Sequence, residues 1–94
     1  MDGALGFEWD DGNVRHIRAH DVTPEEVEQV MADEPLDINF AVADGEERWT
    51  VVGHSDQLRF LVVVYSLRGD SVRAVTAFPA SEKLVEHFAQ QKGW

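Results

Sequence analysis

Apolar residues recur along this chain in two different periods, and the switch between them separates helical from extended stretches. Phe7 and Trp9 flank Glu8 in an apolar–polar–apolar unit that predicts a short edge strand. Asp10 or Asp11 then offers a carboxylate to the free N–H groups of a helix start. Val14 and Ile17 follow at helical spacing, and this helix is expected to end near His20 or Asp21. Thr23-Pro24-Glu25-Glu26 is a capping box with proline at the first helical position, and Val22 and Val27 are placed to staple it. Val27, Val30 and Met31 make the apolar stripe of this second helix, which Pro35 closes.

From there the period changes to two. Leu36, Ile38, Phe40 and Val42 alternate with Asp37, Asn39 and Ala41, which predicts a strand burying one face. Asp44-Gly45 is a tight-turn signal, and a second strand is expected from about Glu47 to Gly53. A polar loop, His54 to Leu58, leads to a third strand, Arg59 to Ser66, apolar on both faces and therefore central. Arg68-Gly69-Asp70 reads as a hairpin turn rather than as an adhesion tripeptide, and the fourth strand runs from Ser71 to about Phe78. Pro79 breaks the pattern, Ser81 caps, and Leu84, Val85 and Phe88 mark a last helix. The expected order is β-α-α-β-β-β-β-α, one α+β domain over residues 1–94. Two N-terminal helices pack on a four-stranded antiparallel sheet, and a C-terminal helix follows.

Charge changes the picture more than composition does. Eighteen acidic residues face eight Lys and Arg, a net charge of −10, with Lys83 and Lys92 the only lysines. Nucleic-acid binders gain affinity by placing Lys and Arg against phosphate, so this balance disfavours RNA as a partner at long range. A local basic patch is still compatible with it, because the Debye length is only about 8 Å at physiological salt. An acidic, lysine-poor surface also suits a high-salt habitat, where such repulsion is screened. The chain has no cysteine, which removes disulfides and thiolate metal sites. The longest strongly apolar run, Phe60 to Tyr65, is too short to span a bilayer. The first residues, Met-Asp-Gly-Ala-Leu-Gly, lack the basic and apolar regions of a secretory signal, so a cytoplasmic location is expected.

Phe7-Glu8-Trp9-Asp10, then Asn13, His16 and His20, then Val22-Thr23-Pro24-Glu25-Glu26-Val27 resemble the opening of BrnT-type toxin sequences. Glu46-Glu47-Arg48-Trp49 is similar to that family's Glu-Glu-Arg-aromatic strand start. Leu61 to Tyr65, Arg68-Gly69-Asp70, Val72-Arg73 and Thr76-Ala77 resemble its hairpin and last strand, so the likeness runs from Phe7 to Phe88. The resemblance implies a RelE-like fold, a metal-free ribonuclease toxin, and a BrnA-like antitoxin partner that itself binds DNA. It implies no cofactor, no membrane and no direct DNA contact for this chain. The chain departs from the family pattern in a first helix with Arg15 and Arg18 in place of several lysines, in the nearly lost basic start of the last helix, Pro79 to Lys83, and at two single positions. Phe78 stands where the family places an arginine, and Asp21 takes the place of a glycine, a mild change because Asp tolerates the left-handed conformation.

RNA cleavage through the 2′-hydroxyl needs a proton acceptor, a proton donor and positive charge on the phosphate. The candidates are Glu47 as base, with Arg48 and Arg73 for phosphate. Strict alternation puts Val72, Ala74, Thr76 and Phe78 on one face and Ser71, Arg73, Val75 and Ala77 on the other. It also sends Glu47 and Arg48 to opposite faces. His16 and His20 share one helix face; packing against the second helix is the expectation for them, ahead of metal binding. With Phe78 in the arginine's place, weak or lost cleavage is expected. The competing reading is a non-catalytic protein-interaction module of the same fold.

Overall fold

The computed structural model describes residues 6–94. Residues 1–5, where no secretory signal is expected, lie outside the described residues. The elements are β1 (Gly6–Phe7), α1 (Asp11–Arg18), α2 (Pro24–Ala32), β2 (Leu36–Ala43), β3 (Glu46–His54), β4 (Phe60–Arg68), β5 (Ser71–Pro79) and α3 (Glu82–Lys92).

Local chemistry sets the helix ends. The Asp10 side chain accepts from the Asn13 N–H while the Asn13 side chain accepts from the Asp10 N–H, so α1 starts in a reciprocal box. After α1, the N–H groups of His20 and Val22 both return to Ile17 O, with Asp21 at φ 62°. The left-handed turn expected at Asp21 is therefore present. Thr23 and Glu26 close the second box at the start of α2, and Ser81 caps α3. Asp44 and Gly45 both have positive φ, as the two central residues of this hairpin turn require.

The sheet departs from the expected four antiparallel strands. β2, β3, β4 and β5 form the antiparallel meander, but β1 adds a fifth strand parallel to β5, in the order β1-β5-β4-β3-β2. The sheet is thus mixed. β4 is central, and both its faces are covered. On one side α1 and α2 bury Ile17, Val22, Val27 and Val30 against Val51, Leu61, Val63, Ala74 and Ala77. On the other, α3 sets Phe88 against Val52 and Val62, with Leu36, Ile38, Phe60, Phe78 and Leu84 around it.

Two bulges break the strict alternation. In β2 the pairing jumps between Asp37 and Asn39, so Ile38 is an extra residue. Leu36 and Ile38 stay with the α3 side, while Phe40 and Val42 turn to the opposite face and are 51% and 62% exposed. The single buried face expected for this strand is therefore divided. In β5, Tyr65 pairs with Ala74 and Val64 with Thr76, so Val75 is extra. Ala74 and Ala77 both turn toward α1, and Thr76 and Phe78 share the face of Arg73. The alternation expected for β5 is overturned beyond Ala74.

α1 is tied to the β5 edge that β1 leaves open. Glu8 N–H donates to Val72 O, and two residues on, the buried Asn13 amide donates to Ala74 O at 3.3 Å and to Glu8 O at 2.9 Å. Asn13→Ala strands these backbone groups and removes half of the capping box. A loss of about 2–3 kcal/mol is expected, read as a melting point lower by about 10 °C or more. α2 crosses β3 at Gly53, where an added Cβ would sit 3.0 Å from Val30 Cγ1 and 3.2 Å from the Pro35 ring. Gly53→Ala is therefore expected to destabilise by about 1–3 kcal/mol in a denaturant titration, against the small gain that replacing glycine brings where space is free.

Candidate functional site

The turn at Gly69-Asp70 sets the site's geometry. Arg68 pairs with Ser71, so two residues further along both strands Ser66 pairs with Arg73. Residues paired directly across an antiparallel ladder share a face. Arg48 reaches the same depression from β3, which is roughly 260 Å³ in volume and is walled by Glu46, Arg68 and, from α1, His16. Its floor lies on the α3 side of the sheet, at the end that α3 does not cover.

Each guanidinium on this floor faces a carboxylate. Arg73 donates from Nη1 to Asp10 Oδ2 at 2.7 Å and from Nη2 to Asp10 Oδ1 at 3.4 Å, with Glu8 at 3.3 Å. Arg48 Nε donates to Glu46 at 3.3 Å. Arg68 sits more loosely between Glu8 at 3.7 Å and Glu46 at 3.9 Å. The two-point bond to Arg73, helped by the Asn13 N–H, holds the Asp10 carboxyl below its ordinary range. The same bond holds Arg73 still more firmly protonated. Three positive and three negative groups thus interleave across the depression.

Ser66 lies between the arginines, is 1% exposed, and its hydroxyl has no hydrogen-bond partner among the described residues. A buried hydroxyl left unpaired is uncommon, and here it adjoins the floor of a charged depression. His16 stands at the rim, exposed, and its ring lies 6.2 Å from that of His20. His20 in turn meets the Phe78 ring edge-on at 6.0 Å. The two histidines therefore look toward the depression and the α3-side face, not into the second helix as expected. Among the described residues no group of three His, Asp or Glu side chains is arranged to hold a metal ion.

Arg48 and Arg73 come together on one charged face, and Glu47 does not join them. It is exposed on the opposite face of β3, paired with Val42 and beside Leu67. Phe78 shares the arginine face but lies five residues along β5, with its ring packed in the cluster under α3. Local sequence marks Arg68 only as a turn residue and does not set Ser66, Glu46, Glu8 or Asp10 in the site; all five line or edge it. The hairpin turn alone carried the Ser66–Arg73 pairing, because a closing pair at 68 and 71 fixes every pair up to the first bulge.

No helix among the described residues is long and apolar enough to cross a membrane. No curated protein matches the chain. A family model does, over residues 9–83, and its family is described as the ribonuclease toxin, BrnT, of type II toxin-antitoxin systems. That span carries Arg48, Ser66, Arg68, Arg73 and His16, and the chain belongs to the BrnT family of type II ribonuclease toxins.

Proposed function

We propose that the chain is an RNA-directed toxin, partnered by a protein antitoxin, in which Arg48 and Arg73 contact the scissile phosphate and cleavage is slow. The observation that carries this reading is the row in which these arginines flank the unpartnered Ser66 hydroxyl beside His16. The two guanidiniums, set over the buried Ser66 hydroxyl, supply donors for the oxygens of a phosphodiester whose negative charge grows as the 2′-oxygen attacks. The 2′-hydroxyl gives its proton to a base as its oxygen bonds to phosphorus, and the departing 5′-oxygen takes up a proton. His16 is the imidazole on this rim placed to take part in such proton exchange. The carboxylates on the arginine face are Asp10, Glu8 and Glu46, and Glu47 is not among them.

Slowness follows from the same contacts. RNA phosphate must displace Asp10, Glu8 and Glu46 from the guanidiniums, and it does so against a net charge of −10. Phe78 adds no charge where the family carries an arginine, and its ring is committed to the packing under α3. The satisfied ion pairs also favour the alternative, a protein-interaction module that no longer cleaves.

Two experiments separate these readings. On a mixed-sequence single-stranded RNA at fixed salt, Arg73→Ala and Arg48→Ala are each expected to lower the cleavage rate by about a hundredfold. Glu47→Gln is expected to leave it unchanged, and equal activity in all four proteins means the arginine face is not the site. Asp10→Asn tests the self-neutralisation. Asn caps a helix as well as Asp does, so α1 is kept while Arg73 loses its charged partner. RNA binding by fluorescence anisotropy should tighten by about three- to tenfold at low salt; unchanged binding would show that Asp10 does not compete with phosphate.

A further inference from the structure

We propose that the apolar end of the other sheet face, formed by Phe40, Val42, Trp49, Tyr65 and Leu67, is the docking surface for a basic amphipathic segment of the antitoxin. This rests on the toxin–antitoxin reading above and names the surface and the chemistry of its occupant.

The bulge at Ile38 creates the surface. By turning Phe40 and Val42 away from the α3 side, it adds them to a band that β3 and β4 already carry. Phe40 pairs with Trp49 and Trp49 with Tyr65, and their rings follow one another at 5.4 and 5.8 Å. The next row holds Val42 and Glu47, with Leu67 beside them over a depression of roughly 710 Å³. Of the five large hydrophobic residues more than half exposed among the described residues, three, Phe40, Val42 and Leu67, lie in this one band. Scattered exposed apolar residues are ordinary, but a contiguous aromatic and aliphatic band on a sheet marks an interaction surface.

Charge identifies the occupant. Neither row contains Lys or Arg, because Arg48 and Arg68 alternate to the opposite face. Glu47 lies in the middle of the band, and Asp44 is in the adjoining turn. Burial, and after it the nearby charge of Asp37, raises the Tyr65 phenol above its ordinary range. A second copy of this chain would set Glu47 against like charge between two bodies of −10 each. A segment with an apolar stripe bordered by Lys or Arg covers the band and pairs its acids.

The test uses this chain and the product of the adjacent gene, co-purified and then titrated by calorimetry at low and moderate salt. Val42→Asp with Leu67→Asp is expected to weaken association by about a hundredfold or more, although it adds negative charge that a basic partner would otherwise favour. Glu47→Lys is expected to weaken it about tenfold and to flatten its salt dependence, whereas Glu86→Lys, the same charge change on α3, has little effect. Thermal melts establish that each variant is folded. Tight binding by the native chain that neither the double variant nor Glu47→Lys disturbs overturns this surface and leaves the antitoxin reading standing. No binding by the native chain overturns the antitoxin reading, and the proposal with it. Self-association of the native chain that the double variant abolishes makes a second copy the occupant, which also overturns the proposal.

Discussion

The packing of β5 between the two cores depends on Val75, the extra residue opposite Tyr65 in the β4–β5 ladder. Regular pairing from the Gly69-Asp70 turn would keep Arg73 beside Ser66 but carry Val75 and Ala77 to that face. Thr76 and Phe78 would then meet α1 and α2. Instead two alanines, Ala74 and Ala77, face Ile17, and their small side chains let α1 lie close against β5. Phe78 goes to the α3 side and fills the second core. A single bulge therefore lets one strand set small residues against the helices along its length and a large ring in the opposite core at its end, on the same face as Arg73 at its start.

The arginines differ in how firmly they are held, and that difference orders what a phosphate can displace. Arg68 is half exposed and meets its carboxylates at 3.7 and 3.9 Å, a contact that contributes little and exchanges easily. Arg73 is mostly covered and makes a two-point bond to a carboxylate that also caps α1. Moving Asp10 away from Arg73 leaves the cap bond intact only if the carboxylate pivots about Oδ1. The helix start and the cationic face are thus coupled through one side chain, and Asn13, which completes the cap, also fastens α1 to β5.

What could be read from the sequence were features decided by near neighbours. Both capping boxes, the left-handed Asp21, the two hairpin turns and the central, doubly apolar β4 depend on residues a few positions apart. So did the opposite facing of Glu47 and Arg48. What escaped depends on distant partners. The parallel pairing of Gly6 and Phe7 with Ser71 and Val72 spans most of the chain and has no local signature. The bulges at Ile38 and Val75 sit in stretches whose alternation looked regular, since Ile and Val suit either face of a sheet covered on both sides. His16 looked like a packing residue because helical spacing pairs it with His20 but does not say which neighbour the shared face meets.

The two surfaces at this end of the sheet are two sides of the same strands. Along β3, Glu46 and Arg48 face the charged depression while Glu47 and Trp49 face the apolar band. A segment lying on the apolar band therefore leaves Arg48 and Arg73 open, with the sheet between them and the partner. The two sides come closest at the hairpin end, where Gly45 and Glu46 border the band and Glu46 also borders the depression. A partner that both docks and silences the arginines has to continue around that end. Basic residues beyond its docked segment would meet Glu46 and Glu8 there, while acidic ones would compete for the guanidiniums directly. In a partner of that kind the docked segment would supply affinity, and the part that turns the corner would decide whether the arginines are closed off.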